Sequence, residues 1–216
     1  MREKGFVSTS RWKQALYVTV IYAGIALVFT LLGILLGPQG AQVGGTRPTD
    51  TIPGHLLELA GFGLLLGLFC MVIYGRKGFP FVILVPLLTV LLDIDHLPVY
   101  LGYAQTIRPA HSVVFLVTVL AVAAVTIRAL DIELAVASAF MAHLAMDSGL
   151  FAPLSPLSFQ YIELNPYRPA FAIGAVMCTL AAGAVLRARA DRAGSLGSKD
   201  IAQTSPGSTG NPAQFC

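Results

Sequence analysis

The chain carries four histidines, His55, His96, His111 and His143, and each has a charged residue within four positions. Glu58 follows His55 by three residues. Asp93 and Asp95 precede His96 in "DIDH" (93–96). Arg108 stands three residues before His111 in "RPAHS" (108–112), and Asp147 lies four after His143 in "HLAMD" (143–147). Imidazole together with carboxylate is the ligand set of zinc and of other first-row divalent ions. On a helix, residues three or four apart share a face, so His55 with Glu58, Asp93 with His96, and His143 with Asp147 each point the same way. Asp95 points elsewhere unless the helix unwinds. Pro98 favours unwinding, because it biases Leu97 away from helical geometry.

His55, Asp93, His96, His111, His143 and Asp147 are therefore the candidate metal ligands. They exceed one tetrahedral site, so one or two ions fit the set, with the surplus orienting ligands or acting as a base. Asp95 or Glu58 is the candidate general base, and Arg108 the candidate group for steadying an anion. Glu58 has a second reading as a charge that favours a helix N-terminus. Ser112 reads as a helix-packing hydroxyl. Arg168 reads as a headgroup anchor, and Trp12, Tyr17 and Tyr22 as interfacial or packing aromatics.

What positions these residues follows from the solvent. The sequence of 216 residues is 56% hydrophobic and 12% charged, with mean hydropathy +0.74. Soluble domains carry about 25% charged residues. Residues 15–36 form an uncharged apolar run, long enough at about 1.5 Å per residue to cross a bilayer core of about 30 Å. Further runs cover 55–74, 79–100, 109–127, 132–151 and 169–186. The expected fold class is all-α: a polytopic membrane helix bundle of about six transmembrane helices. A cytoplasmic segment, 1–14, precedes the helical domain, 15–190, and a disordered cytoplasmic tail, 191–216, rich in Gly, Ser, Pro, Thr and Gln, follows it. The first run is longer than the core of a cleaved signal peptide and reads as a retained helix.

Basic residues set the orientation. With the N-terminus inside, cytoplasmic segments hold Arg2, Lys4, Arg11, Lys13, Arg76, Lys77, Arg128, Arg187, Arg189, Arg192 and Lys199. Outer loops keep Arg47, Arg108 and Arg168. Both termini are then inside, and the chain is a multi-pass protein of the cell (inner or plasma) membrane. The net charge of +3 reflects this topology and does not point to nucleic acid. In this arrangement every histidine lies towards the outer side, beneath the loops 37–54, 93–108 and 152–168. The proline-rich last of these reads as a semi-rigid lid or as a plain connector. Ionisable residues inside a membrane face the bundle interior and mark function. Cys70, Cys178 and Cys216 show no spacing that suggests a disulfide frame or a zinc knuckle.

"DIDH", "RPAHS" and "HLAMD", in that order on a small polytopic chain after an early histidine at a helix start, resemble the YdjM-like family of membrane-bound metal-dependent hydrolases. The resemblance covers residues 50–160. That family is distantly grouped with zinc-dependent phospholipase C-like proteins, which implies His and Asp ligands holding zinc for phosphoester hydrolysis. The family's third motif reads His-Arg-Gly-x-Thr-His-Ser. Here Ile107 stands where its first histidine would precede Arg108, and the Arg-to-His gap is one residue shorter, which implies fewer ligands or a different ion count.

The combined expectation is a metal-dependent hydrolase with its site at the outer leaflet, cleaving a phosphoester or other ester of a membrane lipid or lipid-linked substrate. Two alternatives use the same residues. One is a transporter of divalent metal or protons, which calls for polar residues in the cytoplasmic half as well. The other is a non-catalytic membrane protein whose metal pins the helices together.

Overall fold

The computed structural model describes residues 9–36, 52–97, 108–147 and 150–203. It is all-helical apart from one two-stranded ribbon. Helix α1 spans Thr9–Leu36, α2 Ile52–Tyr74, α3 Phe79–Leu91, α4 Val113–Thr126, α5 Leu130–Met146 and α6 Arg168–Gln203. Short 3-10 turns cover Gly75–Gly78, Leu92–His96, Pro109–His111 and Asn165–Tyr167. Strands β1 (Leu150–Phe151) and β2 (Ile162–Glu163) pair antiparallel, Leu150 opposite Glu163.

Three apolar runs are long enough to cross a membrane: Trp12–Leu36, Gly54–His96 and Asn165–Arg192. The second is not one rod. It folds back at Gly75, whose φ of +62° is left-handed backbone that suits glycine. The two arms, α2 and α3, touch backbone to backbone. A methyl group on Gly67 would lie 2.5 Å from the Phe81 carbonyl oxygen, and one on Gly63 would lie 2.6 Å from the Pro86 Cα. This four-residue glycine spacing is the small-residue stripe that lets membrane helices approach closely.

The six full-length crossings expected from hydropathy are not what the helix lengths give. Helix α3 has 13 residues, α4 14 and α5 17, against about 20 for a full crossing. The missing turns are lost at one end of the bundle. There α3 tightens into the 3-10 turn of "DIDH", α4 begins only after the 3-10 turn Pro109–His111, and α5 stops at Met146. The unwinding expected beside Pro98 is thus present at Leu92–His96, although Pro98 itself lies outside the described residues. Backbone that leaves the helix at membrane depth is tolerated where protein surrounds it.

Helix α5 is the centre of the bundle. Its alanine-rich sequence is buried on every side, from Ile132 through Ala135, Ala139 and Ala142 to Ala145, between α3 and α6. Small side chains let both neighbours come close. Ser138 Oγ donates to the Ala175 carbonyl at 2.8 Å, joining α5 to α6. Helix α1 lies over α4 through Phe29 and Tyr22, whose rings meet Phe115 edge-on at 5.5 and 5.1 Å. At the end remote from "DIDH", Lys77 pairs with Asp191 at 3.0 Å and Arg189 with Asp131 at 2.6 Å.

Helix α6 continues to Gln203, past residue 191, where the sequence composition predicts a disordered tail. The remainder of the tail, 204–216, the N-terminal residues 1–8 and the loop 37–51 lie outside the described residues. Cys70 and Cys178 are free thiols.

Candidate metal centre

Each site residue owes its place to a helix end. In the 3-10 turn Leu92–His96, Asp93 and His96 fall on one side, with His96 Nε2 3.6 Å from Asp93 Oδ1. The tighter winding also turns Asp95 inward, where it is completely buried. His111 closes the turn before α4. Ser112 caps that helix by accepting from the Phe115 backbone N–H at 3.0 Å, so its hydroxyl is committed to the backbone. His143 lies in the last turn of α5 with no solvent exposure. Asp147 ends the same helix, its N–H donating to the His143 carbonyl at 2.9 Å. His55, in the first turn of α2, reaches across the hairpin and is about a quarter exposed.

These groups converge on Asp93. Its carboxylate lies 3.5 Å from His143 Nε2, 3.6 Å from His96 Nε2, 3.7 Å from His55 Nε2 and 3.9 Å from His111 Nε2. All four histidines of the chain thus aim the same ring nitrogen at one buried carboxylate. None is close enough for a hydrogen bond, and among the described residues both Asp93 oxygens are buried without a hydrogen-bond partner. An ionised carboxylate in that state is costly.

The partners of the other ring nitrogens explain the arrangement. His143 Nδ1 lies 2.8 Å from the Thr89 carbonyl, which can only accept, so Nδ1 carries the proton and Nε2 a lone pair. His111 Nδ1 lies 2.9 Å from Asp95 Oδ2. When that carboxylate is ionised, it likewise leaves a lone pair on Nε2. The two Nε2 atoms are 2.7 Å apart. Two lone pairs facing at that distance repel, and a positive charge shared between them removes the conflict. His96 Nε2 accepts from Arg108 Nη1 at 3.3 Å, which shows that it too carries a lone pair, one that an ion would take over from the guanidinium.

This donor set fits a divalent first-row ion. Bonds of about 2.0–2.1 Å to one ion place neighbouring ligand atoms about 2.9–3.4 Å apart. The His111–His143 separation of 2.7 Å and the Asp93–histidine separations of 3.5–3.9 Å lie around that range. Two triplets have ligand atoms mutually within 4.8 Å: Asp93, His96 and His111, and His111, His143 and Asp147. Both triplets contain His111, so they overlap in a single cluster.

Arg108 stands beside the cluster. Its Nη2 donates to Asp147 Oδ2 at 2.7 Å, and Asp147 lies 3.7 Å from His111 Nε2. The guanidinium side chain is 20% exposed, more than that of any candidate ligand but His55. Glu58 is exposed on α2 and is not among the groups that meet Asp93. Asp95 sits behind His111, the position of a carboxylate that fixes a ligating imidazole. Arg168 Nε donates to the Ala145 carbonyl at 2.8 Å, closing the end of α5 between His143 and Asp147. The proline-rich segment is tied down beside His111, the Pro153 carbonyl accepting from Val113 N–H at 2.9 Å.

Thr89 and Tyr22 were not among the candidate residues. Thr89 lies four residues before Asp93, and so on the same helix face, but it serves through its carbonyl, which sequence does not mark. The chain matches no family model, no curated protein and no solved structure.

Proposed function

We propose that this chain is an integral-membrane, metal-dependent hydrolase that holds one divalent ion, zinc by its donor set, and cleaves an ester or phosphoester of a membrane lipid or lipid-linked substrate. The supporting observation is the ring of four imidazole Nε2 atoms around the unpartnered Asp93 carboxylate. His96, His111, His143 and Asp93 are the ligands, with His55 and Asp147 at the rim. Such an ion, when bound, polarises an ester or phosphoryl oxygen and acidifies water. The chain's own groups do the rest. Asp95 and the Thr89 carbonyl hold the Nδ1 protons of His111 and His143, which keeps each Nε2 free to ligate. Arg108 presents a planar donor fork suited to a phosphoryl group. In this reading the contacts give Asp95 an orienting role rather than that of a base.

The proposal extends to topology. The chain crosses six times with both termini inside, three crossings being completed at the site end by non-helical backbone. Lys77, Arg187 and Arg189 gather with Asp131 and Asp191 at the opposite end from the histidines, as the excess of basic residues in cytoplasmic segments requires. The site then opens at the outer leaflet, where lipid headgroups are within reach. The motif resemblance to the YdjM-like hydrolases agrees with this reading.

The test is metal analysis of the protein purified in detergent, alongside His143→Ala and Asp93→Ala. One equivalent of metal in the parent and a loss in both variants is expected, with release of phosphate or headgroup from phospholipid micelles by the parent only. Bound metal without turnover of any lipid would leave a structural ion. Ion flux into proteoliposomes would instead make the centre a transit site.

A further inference from the structure

Tyr22 sits in the middle of α1, a helix that contributes no histidine or carboxylate to the cluster. Its ring is wedged edge-on against Phe115, and the whole side chain has no solvent exposure. Its hydroxyl is buried with no hydrogen-bond partner among the described residues, and α1 packs against the turn Leu92–His96 that carries Asp93 and Asp95. A phenol used only for packing gains nothing from a buried hydroxyl, and phenylalanine would fill the same space. A buried hydroxyl left unpaired is destabilising, so its presence here calls for an acceptor. Among the described residues the carboxylate of that turn with no hydrogen-bond partner on either oxygen is Asp93, which has two oxygens for one ion.

We propose that Tyr22 is a positioning residue of the metal centre, its phenol donating, directly or through one buried water, to the Asp93 oxygen that faces away from the ion. This rests on the metal-centre reading above. Donation to the distal oxygen holds the carboxylate in a one-oxygen binding mode and fixes its plane, as orienting partners of metal ligands do. Helix α1 thereby becomes part of the centre, although it lies outside the stretch in which the sequence motifs fall. Thermodynamic linkage gives the sign. If the hydroxyl finds its partner only in the loaded protein, removing it weakens ion binding while relieving the ion-free protein of an unpaired group.

The experiment uses Co2+ as probe, with the full-length protein in detergent and Tyr22→Phe, which keeps the ring against Phe115. Co2+ affinity is measured by competition with a coloured chelator, and the visible ligand-field spectrum is recorded on the same samples. The expected result is a 10–100-fold weaker affinity in the variant, a changed band pattern, and an ion-free melting temperature equal to or above that of the parent. A second measurement guards against a folding defect. Infrared difference spectra of the parent on Co2+ loading should show a tyrosine C–O band shift. An affinity within twofold of the parent, an unchanged spectrum, or no tyrosine band would overturn the assignment of Tyr22 alone. Failure of the parent to bind Co2+ would overturn the metal centre, and Tyr22 with it.

Discussion

Replacing Asp93 by asparagine separates a metal ligand from a structural acid, because the two predict opposite signs. Asparagine matches the carboxylate in shape and removes the charge. In the ion-free protein this relieves a buried anion whose oxygens lack hydrogen bonds, so Asp93→Asn should stabilise by about 1–3 kcal/mol. The loaded protein should behave the other way. Orienting groups are typically worth about 10–100-fold in affinity, so loss of a direct anionic ligand should cost at least about 100-fold. With free Zn2+ at about 100 times the parent's Kd, binding stabilises the parent by about 2.7 kcal/mol and the variant by about 0.4 kcal/mol. For a chain of this size about 1 kcal/mol corresponds to about 2–4 °C. The zinc-induced rise in melting temperature should then shrink from roughly 5–11 °C to about 1 °C. The assay is thermal unfolding in detergent, followed by tryptophan-independent light scattering or calorimetry, with and without Zn2+. Equal zinc-induced shifts in parent and variant, or an ion-free variant less stable than the parent, would refute the role given to Asp93.

Other expectations follow from the same geometry. Asp95→Asn leaves an acceptor for His111 Nδ1 but removes the charge, so zinc affinity measured by chelator competition should fall by about 10–100-fold, less than for Asp93→Asn. Arg108→Ala should leave zinc content near the parent's, while raising KM for a phosphoester substrate more than it lowers kcat, as steady-state rates will show. Ligating imidazoles must be neutral, so equilibrium dialysis should find metal lost progressively as pH falls and regained on return to neutrality. In the hairpin, Gly67→Ala drives a methyl group against the Phe81 carbonyl and should destabilise by about 1–3 kcal/mol. Gly61→Ala meets open space and should be neutral or stabilising by up to about 1 kcal/mol, by thermal unfolding.

Much of the candidate site could be read from the sequence because few residue types survive in lipid without a reason. Four imidazoles and their acids stand out against an apolar background, and three- and four-residue spacings fix their faces. Hence Asp93, His96, His111 and His143 could be named together before any coordinates. Helix ends were harder to place. Hydropathy does not register where a helix gives way to a 3-10 turn, so α3, α4 and α5 looked like full crossings. Nor does composition mark the far end of α6, since a helix can continue through Ser and Gly. Roles carried by backbone atoms, such as the Thr89 carbonyl, leave no trace in residue identity. Nor does a phenol's lack of a partner, which is why Tyr22 read as a packing aromatic. The role of Asp95 turned on which of its neighbours it meets, and spacing along a chain does not fix a contact sixteen residues away with His111.

The glycine contact between α2 and α3 has a mechanical side. Where two backbones touch, no side chain lies between them to rearrange, so the hairpin can tilt only as a single lever pivoting near Gly75. His55, Asp93 and His96 ride on its free end, whereas His111 stands just before α4 and His143 and Asp147 close α5. Tilting the lever would part the cluster along that seam, three donors to each jaw, with the partly exposed His55 leading. Traffic of an ion or a lipid headgroup into the centre would then be gated by how firmly the α2–α3 arm leans on its neighbours, and cross-linking the arm to α6 should trap whatever the jaws hold.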